Sequence, residues 1–399
     1  MGGVYFRRLL CLSVLIVFAQ QARSATVLVL QFHNGSQFPD LNWVGASISE
    51  TLRSEFGSAG QIVFDRGAVK EAMRRLSLRP GAEFTKATLI RLAQTLDADY
   101  VCYGSYDAHL TNGETQLRNS AIQLSAHYLD LRKLHEGPDM AEAGKLSDLP
   151  RLEQHLAWES LNYLDPGNNL SLDTFLSPSK FPRLDAEESY IRGLLSTNKD
   201  QQQKWFTQAL ALDPHFTGPA FELGKLLLER KDYRKAIPLL DHVGAGDSRY
   251  AEARFKMGLC AYALDDYNSA AAYFRDVLKQ FPMNEVYNNL GAAESRLNLP
   301  TAVSEFQHAV DGDPNDPVYL FNLGVALLRS NSFDNAETRL QQVVDRNPDD
   351  DEAQTLIDRA KRREQAPPDG KPLAPMRLKR GFDATAFRQL KAMLQKSGG

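Results

Sequence analysis

The 399-residue sequence predicts an α/β amino-terminal domain followed by an all-α superhelix, a solenoid of helix-turn-helix units. Three observations carry this. Gly193, Gly224, Gly258, Gly291 and Gly324 head similar stretches 31 to 34 residues apart, a period typical of helical solenoids. Continuous and alternating apolar runs, the marks of strands, cluster upstream of that array. The length, with ordinary hydrophobic (43%) and charged (24%) fractions, exceeds one small core, so more than one domain is expected.

Taken in order, residues 1–24 read as a signal peptide: Arg7-Arg8, the apolar run from Leu9 to Ala19, then Ala22-Arg23-Ser24. The run is shorter than the roughly 20 residues that span a bilayer. Cleavage is therefore expected over the alternative, an uncleaved anchor, leaving an exported protein without an integral span in the periplasm or cell envelope. Cys11 lies too early to carry a lipid. Cys102 and Cys260 fall in different domains and show neither disulfide nor metal-ligand spacing. The net charge of -4 argues against nucleic acid as a partner.

Residues 25–135 have strand and helix rhythm. "ATVLVLQF" is a continuous β-branched run suited to a strand covered on both faces. After Asn34-Gly35, Val44, Ile48, Leu52 and Phe56 mark a helical stripe. Ile62-Val63-Phe64 gives a short strand, and Asp65 caps a helix through Val69, Met73 and Leu76. A further helix through Leu89, Ile90, Ala93 and Leu96 leads to the strand "YVCYGSY". Asn112-Gly113 signals a hairpin turn, and "AIQLSAHYLDL" alternates as an antiparallel strand. Residues 136–185 form a connector: a helix in "LPRLEQHLAWESLNYL", then an extended stretch.

In the repeats, Gly224, Gly258, Gly291 and Gly324 are followed by Ala236, Ala270, Ala302 and Ala336. Small residues at both places let two helices cross closely, and Phe274, Phe306 and Leu340 fill the space beside them. Pro282, Pro314 and Pro348 are expected to close the second helices. The pattern resembles the tetratricopeptide repeat (TPR) over residues 186–348, in five units of which the first two are degenerate. Residues 349–363 read as a capping helix. Residues 364–399 hold a proline-rich linker and a basic amphipathic tail helix, with Asp383 as cap and Phe387, Leu390 and Leu394 on one face. Its Lys and Arg could meet acidic lipid or an acidic partner; packing back onto the protein is the expected outcome.

The resemblance implies a groove, lined by the first helices, that holds a protein or peptide partner. At the family's groove positions stand Tyr190, Phe221, Lys225, Phe255, Leu259, Tyr262, Asn288 and Phe321, among others such as Glu187 and Glu285. The alternative is that these aromatics pack between units. The segments "VLVLQFHNGS", "LIRLAQTLDADYVCYGSY" and "LSAHYLDLRK" make residues 25–135 similar to the TolB amino-terminal domain and related envelope lipoproteins. No propeller pattern follows, so this resemblance carries only the fold and an envelope setting, with association to an envelope complex.

No catalytic signature competes. "GDSR" at 246–249 lies in a turn between repeats without a paired His/Asp block. "DGDPND" at 311–316 has a calcium-loop rhythm but puts Asn322 where a bidentate Glu is required. "GPDMAEAGK" and "GPAFELGK" have the wrong length for a phosphate loop. The histidines show no ligand spacing; His33, at a strand end, is the one with site-like placement, and His127 reads as a surface or interlayer residue. The expected function is therefore a non-enzymatic scaffold without cofactor or metal. The rival is an enzyme or small-ligand sensor built on the α/β domain, which requires a deep polar pocket within residues 25–135.

Overall fold

The computed structural model describes residues 25–110, 116–167, 171–176, 181–367 and 373–397. The expected signal peptide and the Asn112-Gly113 turn lie outside them. Seven strands form one sheet: β1 (Thr26–Val29), β2 (His33–Asn34), β3 (Ile62–Val63), β4 (Tyr100–His109), β5 (Ala121–Asp130), β6 (His135–Glu136) and β7 (Met140–Lys145). Their order is β3-β1-β4-β5-β6, with β2 beside β4 and β7 beside β5. β1 runs parallel to both neighbours, whereas β4 and β5 pair antiparallel from Tyr100↔Asp130 to His109↔Ala121.

The unbroken apolar run of β1 has its reason here, because side chains alternate between two covered faces. Val27 and Val29 pack toward α1 (Val44–Ser58) on one side, and Leu28 and Leu30 toward α2 (Arg66–Arg75) and α3 (Lys86–Leu96) on the other. Asp65 caps α2 as expected, its Oδ1 accepting from the Ala68 N–H at 2.8 Å. The sheet continues past residue 135: β7 pairs with β5 in register Ala121↔Lys145 to Ala126↔Met140, and α4 (Leu149–Leu164) packs on α1. "MAEAGK" lacks β-branched residues and lies on the sheet's margin, so neither propensity nor alternation marks it as a strand.

After the short α5 (Leu172–Leu176), helices pair in sequence: α6 (Leu184–Leu195) with α7 (Lys199–Leu212), and α8 (Thr217–Glu229) with α9 (Tyr233–Asp241). α10 (Tyr250–Ala263) pairs with α11 (Tyr267–Leu278), and α12 (Asn284–Arg296) with α13 (Ala302–Gly312). α14 (Pro317–Arg329) pairs with α15 (Phe333–Val344), and α16 (Asp351–Lys361) covers the end. A methyl on Gly258 would stand 2.5 Å from the Phe274 ring, and one on Gly324 would stand 2.7 Å from Leu340. Each glycine is thus a notch into which the partner helix sets its large side chain, beside an alanine that is buried. The prolines follow the second helices at a short distance. Pro282, Pro314 and Pro348 lie beyond the ends of α11, α13 and α15, in the turns between units. Within units, Lys231, Asp265, Asn298 and Asn331 take left-handed backbone (φ 57–62°) between first and second helices.

One hydrophobic core runs from the sheet through Tyr190, Ile191, Phe206 and Phe221 as far as Cys260 in α10. Two further clusters hold the later repeats. Beyond α16, residues 375–380 have no regular structure and lead into α17 (Ala384–Ser397), where Asp383 Oδ1 accepts from the Ala386 N–H.

Candidate functional site

The first helices α6, α8, α10, α12, α14 and α16 present the face on which a groove is expected. Its amino-terminal end is covered by the α/β domain. Ser47 Oγ on α1 donates to Glu187 Oε1 at 2.8 Å, and Thr51 Oγ1 donates to Glu153 Oε2 at 2.6 Å. The remaining oxygens, Glu153 Oε1 and Glu187 Oε2, are buried without another partner. Burial raises both carboxyls, Glu187 to about 7, and their mutual repulsion lifts Glu153 further. Both effects favour the protonated form of the pair. Arg66 spans the same seam, pairing with Glu50 at 2.9 Å and donating to the Leu194 carbonyl at 3.1 Å. Burial opposes the charge of Glu50, but Arg53 and Arg66 outweigh it and hold its carboxyl below the usual range.

Tyr190, Phe221 and Lys225 belong to this covered end. Tyr190 packs between Phe206 and Phe216. Phe221 is buried, with the cations of Lys225 and Arg249 over its ring at 5.0 and 5.7 Å. Lys225 pairs with Glu222 at 3.1 Å. Tyr190 and Phe221 do not line an open groove, because they belong to the core that continues into the α/β domain, whereas Lys225 keeps about a third of its side chain exposed.

At the other end the cover is the chain's own carboxyl-terminal segment. Asn322 Oδ1 accepts from the Arg377 N–H at 2.9 Å while its Nδ2 donates to the Arg377 carbonyl at 2.7 Å. Asn289 does the same for Lys379, at 2.9 and 2.8 Å. Asn288 joins them: its Nδ2 donates to the Arg377 carbonyl at 3.0 Å and to Asn289 Oδ1 at 3.1 Å, and its Oδ1 accepts from Asn322 at 2.8 Å. Pairing both main-chain groups of residues two apart is how a β-strand is read, and here side-chain amides stand in for the neighbouring strand. All three asparagines are 0% exposed, with every amide group engaged.

Side chains add selectivity. The Arg377 guanidinium forms a fork on Asp350 at 2.7 and 2.8 Å, reaches Glu352 at 3.1 Å and lies 3.4 Å from the Phe321 ring centre. The Arg377 hydrogen bond holds the Asp350 carboxyl below its ordinary range. Lys379 pairs with Asp316 and sits over Tyr319. Phe382 meets Phe255 at 4.6 Å and stacks on Phe387, which meets Phe281 at 5.1 Å. Glu285 accepts from the Asp383 N–H at 2.6 Å. Arg388 then pairs with Asp65 at 3.0 Å, and Lys391 donates to the Ser248 carbonyl at 3.1 Å, returning the tail to the α/β domain and the second inter-repeat turn.

Of the groove candidates, Phe255, Asn288 and Phe321 therefore meet at the tail. Phe255 also packs on Phe274 of its own unit, a contact within the repeat and not between units. Leu259 is buried beside it in the same cluster, and Tyr262 is half-buried against Tyr267 at 5.2 Å. Asn289 and Asn322 were not among the candidates. They occupy one position beyond the groove-facing site in consecutive units, and a buried asparagine mid-helix is the signal that marks them, since Asn is a poor helix former that must find partners.

Elsewhere, His33 Nδ1 lies 3.0 Å from the Gly81 carbonyl, and His127 pairs with Asp139 beside Tyr103. Clefts of about 420 and 370 Å³ open at the domain seam. Ser58, Asp247, Tyr250, Phe281 and Lys391 border the first; Gln31, Asp40, Trp43, Arg192 and Trp205 border the second. Among the described residues no helix is long and apolar enough to cross a membrane.

The tetratricopeptide repeat family model matches residues 227–294 and 298–360. The chain carries tetratricopeptide repeats, and its fold is an α/β region followed by a tetratricopeptide-type solenoid. Comparison with curated proteins finds no match. Among solved structures, YrrB, a tetratricopeptide protein with an unusual peptide-binding site, is 18% identical over 45% of this chain and 92% of its own, with a TM-score of 0.39. MamA from Desulfovibrio magneticus RS-1 is 19% identical over 41% of this chain and 95% of its own, TM-score 0.37. The carboxyl-terminal domain of LpoB from Salmonella enterica is 18% identical over 32% of this chain and 87% of its own, TM-score 0.24.

Proposed function

We propose that the protein is a non-enzymatic, exported scaffold of the bacterial cell envelope that holds a protein segment on the groove face of its repeats. The observation that carries the binding reading is the main-chain clamp of Asn288, Asn289 and Asn322, which engages an extended segment through groups that every peptide possesses. Phe255, Leu259, Tyr262 and Phe321 supply apolar surface beside it. Export is supported by Arg7-Arg8, the Leu9–Ala19 run and Ala22-Arg23-Ser24. The envelope setting is supported by the resemblance of residues 25–135 to the TolB-type amino-terminal domain.

A photo-crosslinking amino acid at Tyr262, with Ser304 on α13 as a control, tests the groove in producing cells. The expected outcome is an adduct with another protein at 262, absent at 304 and lost with Asn288→Ala plus Asn322→Ala. Equal adducts at both positions, or adducts indifferent to the asparagines, would overturn it. Amino-terminal sequencing of secreted material tests export: a mature chain starting near Ala25 is expected, and retention of Arg7-Arg8 contradicts it.

A further inference from the structure

We infer that the groove over α10, α12, α14 and α16 selects an extended basic segment with an arginine, a lysine two residues on and an aromatic three residues further. The chain's own Arg377, Lys379 and Phe382 are an internal copy of that ligand, which a partner must displace. The inference rests on the scaffold reading and states what the scaffold recognises.

The first ground is charge. Asp316, Asp350, Glu352 and Glu285 come from three different first helices or their caps and converge on one segment. Carboxylates gathered this way repel one another unless cations lie between them, so whatever occupies the groove must be basic. Spacing is the second. Asn322 and Asn289 fix the main chain at residues two apart, which sends the Arg377 and Lys379 side chains to the same side, each onto its own carboxylate and its own aromatic ring. A guanidinium is required at the first place, because Asp350 offers a two-oxygen fork and Phe321 a flat ring; a single carboxylate oxygen meets the ammonium at the second.

The third ground concerns permanence. A segment destined only to stay could be held by the apolar contacts of Met376, Phe382 and Phe387 alone, without the cost of burying three amides and partly burying four carboxylates. Polar lining is what keeps such a face soluble when its occupant leaves. The occupant is also peripheral: Arg377 and Lys379 keep about a quarter of their side-chain surface exposed, and "APPDGKPLAP" links them to α16 in a sequence poor in N–H groups for further pairing.

The test uses full-length chains and a fluorescein-labelled synthetic peptide of residues 373–391, read by anisotropy. A tail-release variant carrying Arg377→Glu and Phe382→Ser should bind the peptide about tenfold or more tightly than the wild type does. A peptide with glutamate for both Arg377 and Lys379, or addition of Asn288→Ala and Asn322→Ala to the release variant, should each cost about tenfold or more. A folded release variant that ignores the peptide, or binds the charge-reversed peptide equally, overturns the inference. If the crosslink at Tyr262 survives in that case, the scaffold reading stands and the pattern alone fails; loss of both removes both. Should the release variant not fold, the decision passes to Met393→Cys in an otherwise native chain, labelled at this exposed position of α17. Unlabelled peptide raised above about millimolar concentration, the level needed to compete with a tethered copy, should then lower the label's anisotropy as the tail is displaced, and an unchanged value there overturns the inference.

Discussion

The groove face is covered twice by the chain itself, at α6 by a folded domain and at α12 to α16 by an extended tail, and the two covers are built on different physics. At α6 the apolar core passes without interruption from sheet to repeats, and the polar groups in the seam are paired or, at Glu153 and Glu187, held by burial above their ordinary carboxyl range. At α12 to α16 the cover is a single strand's worth of chain followed by one helix, held by amide pairs, by ions that remain partly wet and by separate apolar contacts of Met376, Phe382 and Phe387. Continuous apolar burial scales with area and does not release in parts. A polar clamp releases contact by contact, with water replacing each partner. The first cover is architecture and the second is occupancy.

The largest expected effect would break that division if it failed. Leu323, 0% exposed on α14, lies in the cluster that also receives Ala374 and Met376 of the tail. Leu323→Ala should cost about 2–5 kcal/mol through the cavity it leaves, measured by denaturant unfolding. Hydrogen exchange should show lost protection in α12 to α16 and the tail with α1 to α4 nearly unchanged; uniform loss would mean that the two ends form one cooperative unit.

The next expectation sharpens the domain seam. Burial raises Glu187 from an ordinary 4.5 to about 7, so the native state binds a proton more tightly than the unfolded chain. Stability from this pair is therefore complete below the ordinary carboxyl value and lost as pH rises through about 7. The loss should be on the order of 3 kcal/mol, seen as a falling thermal midpoint. Glu187→Gln should flatten that fall, and a midpoint insensitive to pH over this range in the wild type would exclude the raised carboxyl.

The smallest effect belongs to the tail. The Lys379–Asp316 pair is partly exposed, so Lys379→Ala should weaken docking by about 0.2–1 kcal/mol. Added salt should have a similar effect, whereas the buried seam at Glu187 should respond little. The tail label at position 393 reads both; a much larger loss would show that this lysine is a structural anchor.

The sequence made the repeats legible because the Gly-to-Ala spacing is a packing rule with few solutions, and β1 legible because a strand buried on both faces cannot hide its composition. β7 escaped notice because a marginal strand needs no apolar side chains. The groove was half legible. Family positions pointed to Phe255, Asn288 and Phe321, all of which meet the tail, but also to Tyr190 and Phe221, which lie in a core continuous with a domain whose docking no local pattern encodes, and to Lys225, which pairs within its own helix. Asn322 entered the reading only as the wrong residue for a calcium loop. Its meaning depends on Arg377, 55 residues away, and no periodicity joins them.

The linker of residues 364–372 has a quantitative consequence. A ligand joined to its site by so short a stretch behaves as if present at an effective concentration on the order of millimolar. A free partner with the same contacts at about micromolar concentration would then hold the groove about one part in a thousand of the time. Occupancy by an outside protein therefore demands either more contacts than Arg377, Lys379 and Phe382 provide, or several copies of the segment on one partner. The tether sets a threshold, and partners that match the tail without exceeding it are ignored.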